Sequence, residues 1–270
     1  MNKERILPEG VVLRLENLSI AFGGLKAVDN LSFDIKENEI FGLIGPNGAG
    51  KTTAFNCITQ FYKPDSGNIY FRDRVNNVQN LLDHQVHEII KLGLVRTFQN
   101  VELIRELSIL DNVLVGGHID FKASIFEQAL KLPRALREEK VLREEAISIL
   151  KSLELEERKD MIVAGQPYGI LKKVELARTL MCKPKLIILD EPAAGLNDIE
   201  TLQLTKMIRK IRDEFNCSVL LVEHDMRLVM DVCDRVCAIS FGRFLAIGTT
   251  VEIQQNKDVQ AAYLGNDGDE

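Results

Sequence analysis

Gly45-Pro46-Asn47-Gly48-Ala49-Gly50-Lys51-Thr52-Thr53 decides the reading of this chain. The nonapeptide fits the spacing G-x-x-x-x-G-K-[ST]. Phe41-Gly42-Leu43-Ile44 before it predicts a short apolar strand, and Thr53-Ala54-Phe55-Asn56-Cys57-Ile58 after it predicts a helix with an inward apolar face. Strand, loop, helix is the order that a phosphate-cradling loop requires. Glycines open backbone angles closed to other residues, so successive N–H groups can converge on phosphate oxygens while the helix N-terminus adds a favourable field. In such a loop Lys51 reaches the β- and γ-phosphates and the Thr52 hydroxyl ligates Mg²⁺.

Outward from the loop, composition bounds the answer. The chain has 270 residues, 46% of them apolar and 27% charged, which is ordinary for a globular protein and enough for a sizeable core. Its net charge of -6 supplies no general attraction for nucleic acid or anionic lipid, so phosphate binding must be local. No apolar run approaches the roughly 18 to 20 residues that cross a bilayer. The first residues lack the apolar segment of a secretory signal, and the expected location is the cytoplasm. Five cysteines, none in a C-x-x-C pair and most in apolar runs, read as reduced core residues. His84 and His87 could share a helix face, but with no companion ligand they read as solvated.

The chain in order predicts an α/β protein. Short alternating runs between Val11 and Ile40, broken at Phe22-Gly23-Gly24 and Glu37-Asn38-Glu39, predict an antiparallel β layer that Asn68-Ile69-Tyr70-Phe71 rejoins after the turn Pro64-Asp65-Ser66-Gly67. From about Leu81 to Leu155 apolar residues recur at helical spacing. Within this stretch the mixed charges from Arg134 to Glu145 predict a solvated helix rather than a nucleic-acid patch. Beyond Gly169, Leu186–Leu189 and Ser218–Val222 are near-continuous apolar strands. Between them Glu200 to Phe215 forms an amphipathic helix with Leu202, Leu204, Ile208 and Ile211 near one face, and a further strand follows at Val236–Ser240. Asn266 to Glu270 reads as a disordered acidic tail.

Two strand ends carry chemistry. Asp190-Glu191 place paired carboxylates at the carboxyl edge of a central strand, where open α/β sheets bind ligands. Asp190 suits Mg²⁺, through water, and Glu191 suits polarisation of the water that attacks the γ-phosphate. Ser218–Val222 lead into Glu223-His224-Asp225, which brings His224 to the same edge, within reach of a γ-phosphate.

With these motifs in this order, the chain resembles the ATP-binding subunit of an ABC transporter over nearly its whole length. The resemblance implies a RecA-like P-loop NTPase core, an antiparallel β layer and an inserted helical subdomain. Phe22 then matches the aromatic residue that stacks on adenine, Gly45 to Thr53 the Walker A loop, and Gln99 the glutamine that senses Mg²⁺ and the membrane partner. Asp190 and Glu191 match the Walker B aspartate and catalytic glutamate, Ala194-Gly195-Leu196-Asn197 the D-loop, and His224 the switch histidine. Leu94-Val95-Arg96-Thr97-Phe98-Gln99, Val222-Glu223-His224-Asp225-Met226 and Ala262-Tyr263-Leu264-Gly265 are most similar to importer cassettes of the branched-chain amino-acid type. Cassettes for urea or amide uptake and for lipopolysaccharide export share part of these endings.

The family's signature, usually L-S-G-G-Q, falls on Gln166-Pro167-Tyr168-Gly169-Ile170 and keeps only Gly169 unambiguously. In a head-to-tail cassette dimer that segment meets the nucleotide held by the other subunit, and Pro167 offers it neither hydroxyl nor N–H. The resemblance therefore implies Mg²⁺ and ATP as cofactors and two membrane permeases as partners. It also implies a second, different ATPase subunit and, indirectly, a secreted solute-binding protein. The expected organisation is a nucleotide-binding core of residues 1–98 and 165–255, a helical subdomain of 99–164 and a tail of 256–270. A soluble cassette acting on nucleic acid or ribosomes is the competing reading, and the absence of tandem cassettes or basic arms speaks against it.

Overall fold

The computed structural model describes residues 7–97, 102–120, 127, 130 and 132–264. The chain forms two compact units, Met1–Arg96 with Lys185–Glu270, and Thr97–Pro184. The first half of the first unit runs β1 (Val11–Phe22), β2 (Leu25–Lys36), β3 (Ile40–Ile44), α1 (Lys51–Ile58), β4 (Ser66–Arg72), β5 (Val78–Asn80), α2 (Val86–Leu92) and β6 (Leu94–Arg96). The second unit contributes α3 (Ile109–Gly116), α4 (Pro133–Ser152) and α5 (Tyr168–Leu180). The chain then returns to the first unit with β7 (Leu186–Asp190), α6 (Asp198–Phe215), β8 (Ser218–Val222), α7 (Met226–Val232), β9 (Arg235–Ser240), β10 (Arg243–Gly248), α8 (Thr250–Gln255) and α9 (Lys257–Leu264).

Two sheets build the first unit. One is antiparallel, in the order β2-β1-β4-β5, and its β1–β2 hairpin closes where Phe22 pairs with Leu25. The other runs β10-β9-β3-β8-β7-β6, parallel throughout except for the edge strand β10. Every residue of β3, β7 and β8 is buried, as their near-continuous apolar sequences require of strands covered on both faces. Leu13 and Leu15 of β1, Phe41 and Leu43 of β3, and Ala54, Phe55 and Ile58 of α1 belong to one buried cluster, so the antiparallel layer, the parallel sheet and the loop-bearing helix share a core.

Three details differ from the sequence reading. Leu94–Arg96 pairs in parallel with β7, although it lies inside the stretch read as helical, because a three-residue edge strand is too short to show a period. Leu202 is 54% exposed whereas Leu204, Ile208 and Ile211 are buried. Steps of four and three residues hold those three on one face, and Leu202, two residues before Leu204, points round the far side. Residues 257–264, placed in a C-terminal tail, form α9, which buries Val259. The acidic end lies outside the described residues.

In the second unit α3 packs against α4 and α5. The contact with α5 is so close at Gly116 that a Cβ there would lie 2.0 Å from the Arg178 carbonyl oxygen, so only glycine fits. Asn112, fully buried, donates to the carbonyls of Ile104 and Ser108 and accepts from the Ile104 N–H, which fixes the approach to α3. The sequence reading assigned residues from 165 onward to the core. The compact unit instead retains the chain to Pro184, because α5 buries Val174, Leu176, Ala177 and Leu180 along a face that α3 and α4 cover.

Candidate nucleotide site

The loop predicted from sequence emerges from β3 and ends in α1. Gly50 caps α1 with φ 98°, a left-handed conformation that glycine adopts without strain, and a Cβ there would lie 2.3 Å from the Ala27 carbonyl oxygen. A Cβ on Gly45 would strike the Ile239 carbonyl oxygen at 2.2 Å. The loop is thus held from behind by β2 and β9. The turn between β9 and β10 joins them, with Gly242 N–H donating to the Ala49 carbonyl (2.9 Å) and Asp29 N–H donating to the Gly242 carbonyl (2.8 Å). In front of the loop lies a cleft of about 960 Å³ lined by Asn47 to Thr53, Glu191, Lys26 and Phe241 among others. Lys51, only 7% exposed, donates from Nζ to the carbonyls of Gly45 (2.6 Å) and Pro46 (3.1 Å). Burial pulls its pKa below the ordinary lysine value, and the carboxylates of Glu191 and Glu223 act in the opposite direction.

The paired carboxylates emerge at the end of β7, as predicted. Asp190 is nearly buried and forms a 3.0 Å ion pair with Arg96. Glu191 turns away from the strand with φ 44°, a left-handed conformation that costs a non-glycine residue about 1 kcal/mol or more, and its N–H donates to the Val222 carbonyl. His224, at the end of β8, has Nδ1 3.7 Å from Glu191 Oε1 and 3.7 Å from Glu223 Oε2. Asn197, at the end of the D-loop match, caps α6 in a reciprocal capping box with Glu200.

Two residues without a role in the sequence reading organise this edge. Glu223 is 1% exposed, and its carboxylate accepts from the N–H groups of Ala193, His224 and Asp225, so one side chain ties the turn after β7 to the turn after β8. Arg96 joins Asp190 to α1 through Asn56. A lone charged residue at the end of an apolar strand was the available signal, since such residues are seldom buried without a partner.

Phe22 is 47% exposed at the tip of the β1–β2 hairpin, edge-on to Tyr62 with ring centroids 5.3 Å apart, and it is absent from the lining of the loop cleft. Gln99 lies outside the described residues. In the second unit Pro167 caps α5 without a side-chain hydrogen bond, and Tyr168 and Gly169 form its first turn, with Lys172 Nζ 5.6 Å from the Tyr168 ring centroid.

The residues present fit a nucleoside triphosphate and a hard divalent cation. At Gly45 and Gly50 the loop has no room for a side chain, Lys51 supplies a cation, and Thr52 and Asp190 carry oxygens of the kind that Mg²⁺ prefers. Among the described residues no group of three or more histidine, cysteine and carboxylate side chains is placed to hold a metal ion.

This arrangement defines an ATP-binding cassette. The family profile described as ABC transporter matches residues 28–194, and the chain belongs to that family. It is 43% identical over 254 residues to the high-affinity branched-chain amino acid transport ATP-binding protein LivG of Salmonella typhimurium, covering 94% of this chain and 98% of that protein. It is 41% identical over the same length to the corresponding protein BraF of Pseudomonas aeruginosa, again covering 94% and 98%. Among solved structures, an ATP-binding cassette of an ABC transporter in its ADP conformation aligns with a TM-score of 0.79 at 29% identity, covering 94% of this chain and 99% of that one. No described helix is long and apolar enough to cross a membrane.

Proposed function

We propose that this chain is the ATP-hydrolysing subunit of an importer for branched-chain amino acids, seated on the cytoplasmic face of the membrane through two permease subunits and paired with a second cassette. The observation that carries the solute is the end-to-end likeness, 43% over 94% of the chain, to a protein named for that transport.

The chemistry follows from the side chains. Lys51 exchanges the carbonyls of Gly45 and Pro46 for phosphate oxygens, an exchange favoured because its ammonium is buried and its own carbonyl partners are neutral. Thr52 and Asp190 would hold Mg²⁺, which when bound would offset negative charge on the nucleotide's phosphates. Glu191 takes the proton of the attacking water, and His224, beside it, fixes its orientation against the γ-phosphate. The head-to-tail partner completes this site with its own signature segment, while Tyr168 and Gly169 serve the partner's nucleotide. Two permeases turn cassette closure and reopening into alternating access.

The test is reconstitution in vesicles with two candidate permeases, a second cassette and a solute-binding protein from the same organism. Leucine is expected to stimulate ATP hydrolysis and to be taken up. Stimulation by urea or an amide but not by leucine would overturn the solute assignment, and copurification with ribosomes or nucleic acid in place of permeases would overturn the transport role.

A further inference from the structure

Arg96, the last residue of β6, touches both halves of the nucleotide machinery. Its Nη2 donates to Asp190 Oδ2 at 3.0 Å and its Nη1 donates to Asn56 Oδ1 at 3.1 Å. Its guanidinium carbon stands 4.2 Å from the centroid of the Phe55 ring and 5.7 Å from that of Phe61. Asn56 and Phe55 lie on α1, whose first turn is the phosphate loop, and Asp190 ends β7. The ion pair is largely withdrawn from water, with the two side chains 18% and 11% exposed, so it is screened far less than a surface pair. A planar fork seated on an aromatic ring can hold two acceptors at a set angle, which a lysine at the same place cannot.

We propose that Arg96 is a positioning residue for the divalent cation of the nucleotide site: it fixes the Asp190 carboxylate by one oxygen and locks that carboxylate to the helix of the phosphate loop. This rests on the proposed Mg²⁺-nucleotide reading and extends it to a residue outside the motifs that carry that reading. Two roles for Arg96 predict opposite signs. If it served only as a neighbouring positive charge, its removal would strengthen cation binding by relieving repulsion. As a positioning group, its removal leaves a buried carboxylate free to turn to other partners, and cation binding weakens.

The experiment titrates the purified full chain with a fluorescent ATP analogue, once in Mg²⁺ and once in EDTA, and compares the two affinities. In R96Q the gain from Mg²⁺ is expected to fall about tenfold, the scale of one charge-assisted hydrogen bond, while affinity in EDTA stays within about twofold of wild type, since no phosphate contact is touched. R96K should lose the gain in the same direction, because charge without the fork does not bridge Asn56 and Asp190. D190N should reproduce the loss, and R96Q/D190N should lose no more than D190N alone. Should R96Q not fold, N56A removes only the link to α1 and is expected to lower the Mg²⁺ gain to a lesser degree, with no change in EDTA; an unchanged gain in N56A then overturns the proposal. A wild-type gain in R96Q, a tighter response to Mg²⁺, or an equal loss in EDTA overturns it while leaving the nucleotide reading standing. A wild-type chain that binds no ATP overturns both.

Discussion

Two helix N-termini in this chain are built differently, and the contrast separates the site it holds from the surface it offers. Both α1 and α5 present N–H groups unsatisfied within the helix and the positive end of a dipole. At α1 these are supplemented by a left-handed glycine cap, a buried lysine and a cleft of about 960 Å³. At α5 the cap is Pro167, which has no donor and makes no side-chain hydrogen bond, and the first helical residue is the half-exposed Tyr168. The same backbone device thus forms a pocket in one place and an open helix end in the other. On the proposed reading, α1 belongs to the nucleotide site that this chain holds, and α5 is its weaker contribution to the site of a partner.

Three substitutions test that contrast. E191Q is expected to retain ATP binding and to lose turnover by about 10²- to 10⁴-fold, the range of a positioned general base. Near-normal hydrolysis in the assembled complex would remove Glu191 from that role and the cleft at α1 from the role of hydrolytic site. K51A should weaken ATP affinity by about ten- to a hundredfold, as loss of a charge-assisted contact implies; an undiminished affinity in a direct titration would leave α1 no better than α5. P167S restores a hydroxyl and an N–H at the cap of α5, a change of about 1 kcal/mol, and should raise the ATPase rate of the assembled complex about fivefold. An unchanged rate would mean that Tyr168 and the helix field already suffice there.

The chemistry at strand ends was readable because it lies in unbroken local patterns. A glycine-rich loop between an apolar run and a helix, and Asp190-Glu191 after Leu186–Leu189, announce their surroundings in a few residues. Glu223 and Arg96 were not readable in the same way. Each acts through groups remote in sequence, with Ala193 thirty residues from Glu223 and Asp190 ninety-four from Arg96, and no period or spacing encodes a fold that brings them together. The boundary of the second unit was missed for a related reason. The basic helix after the signature looks amphipathic wherever it packs, and only the close approach of Gly116 to Arg178 identifies its neighbour. Phe22 was legible only through the motif order, since an aromatic residue before Gly23-Gly24 reads locally as a hairpin residue, and the hairpin holds its half-exposed ring edge-on to Tyr62.

Ala27 on β2 faces both Gly50 and Gly242, with room for a Cβ at neither. The phosphate loop is therefore the seam between the antiparallel sheet and the parallel one, stitched by the hydrogen bonds of Ala49 and Asp29 to Gly242. On heating, the hairpin β1–β2 cannot peel away while the loop keeps its shape. The two sheets should melt in one cooperative transition, and ATP, by bracing the seam, should raise the melting temperature of both together.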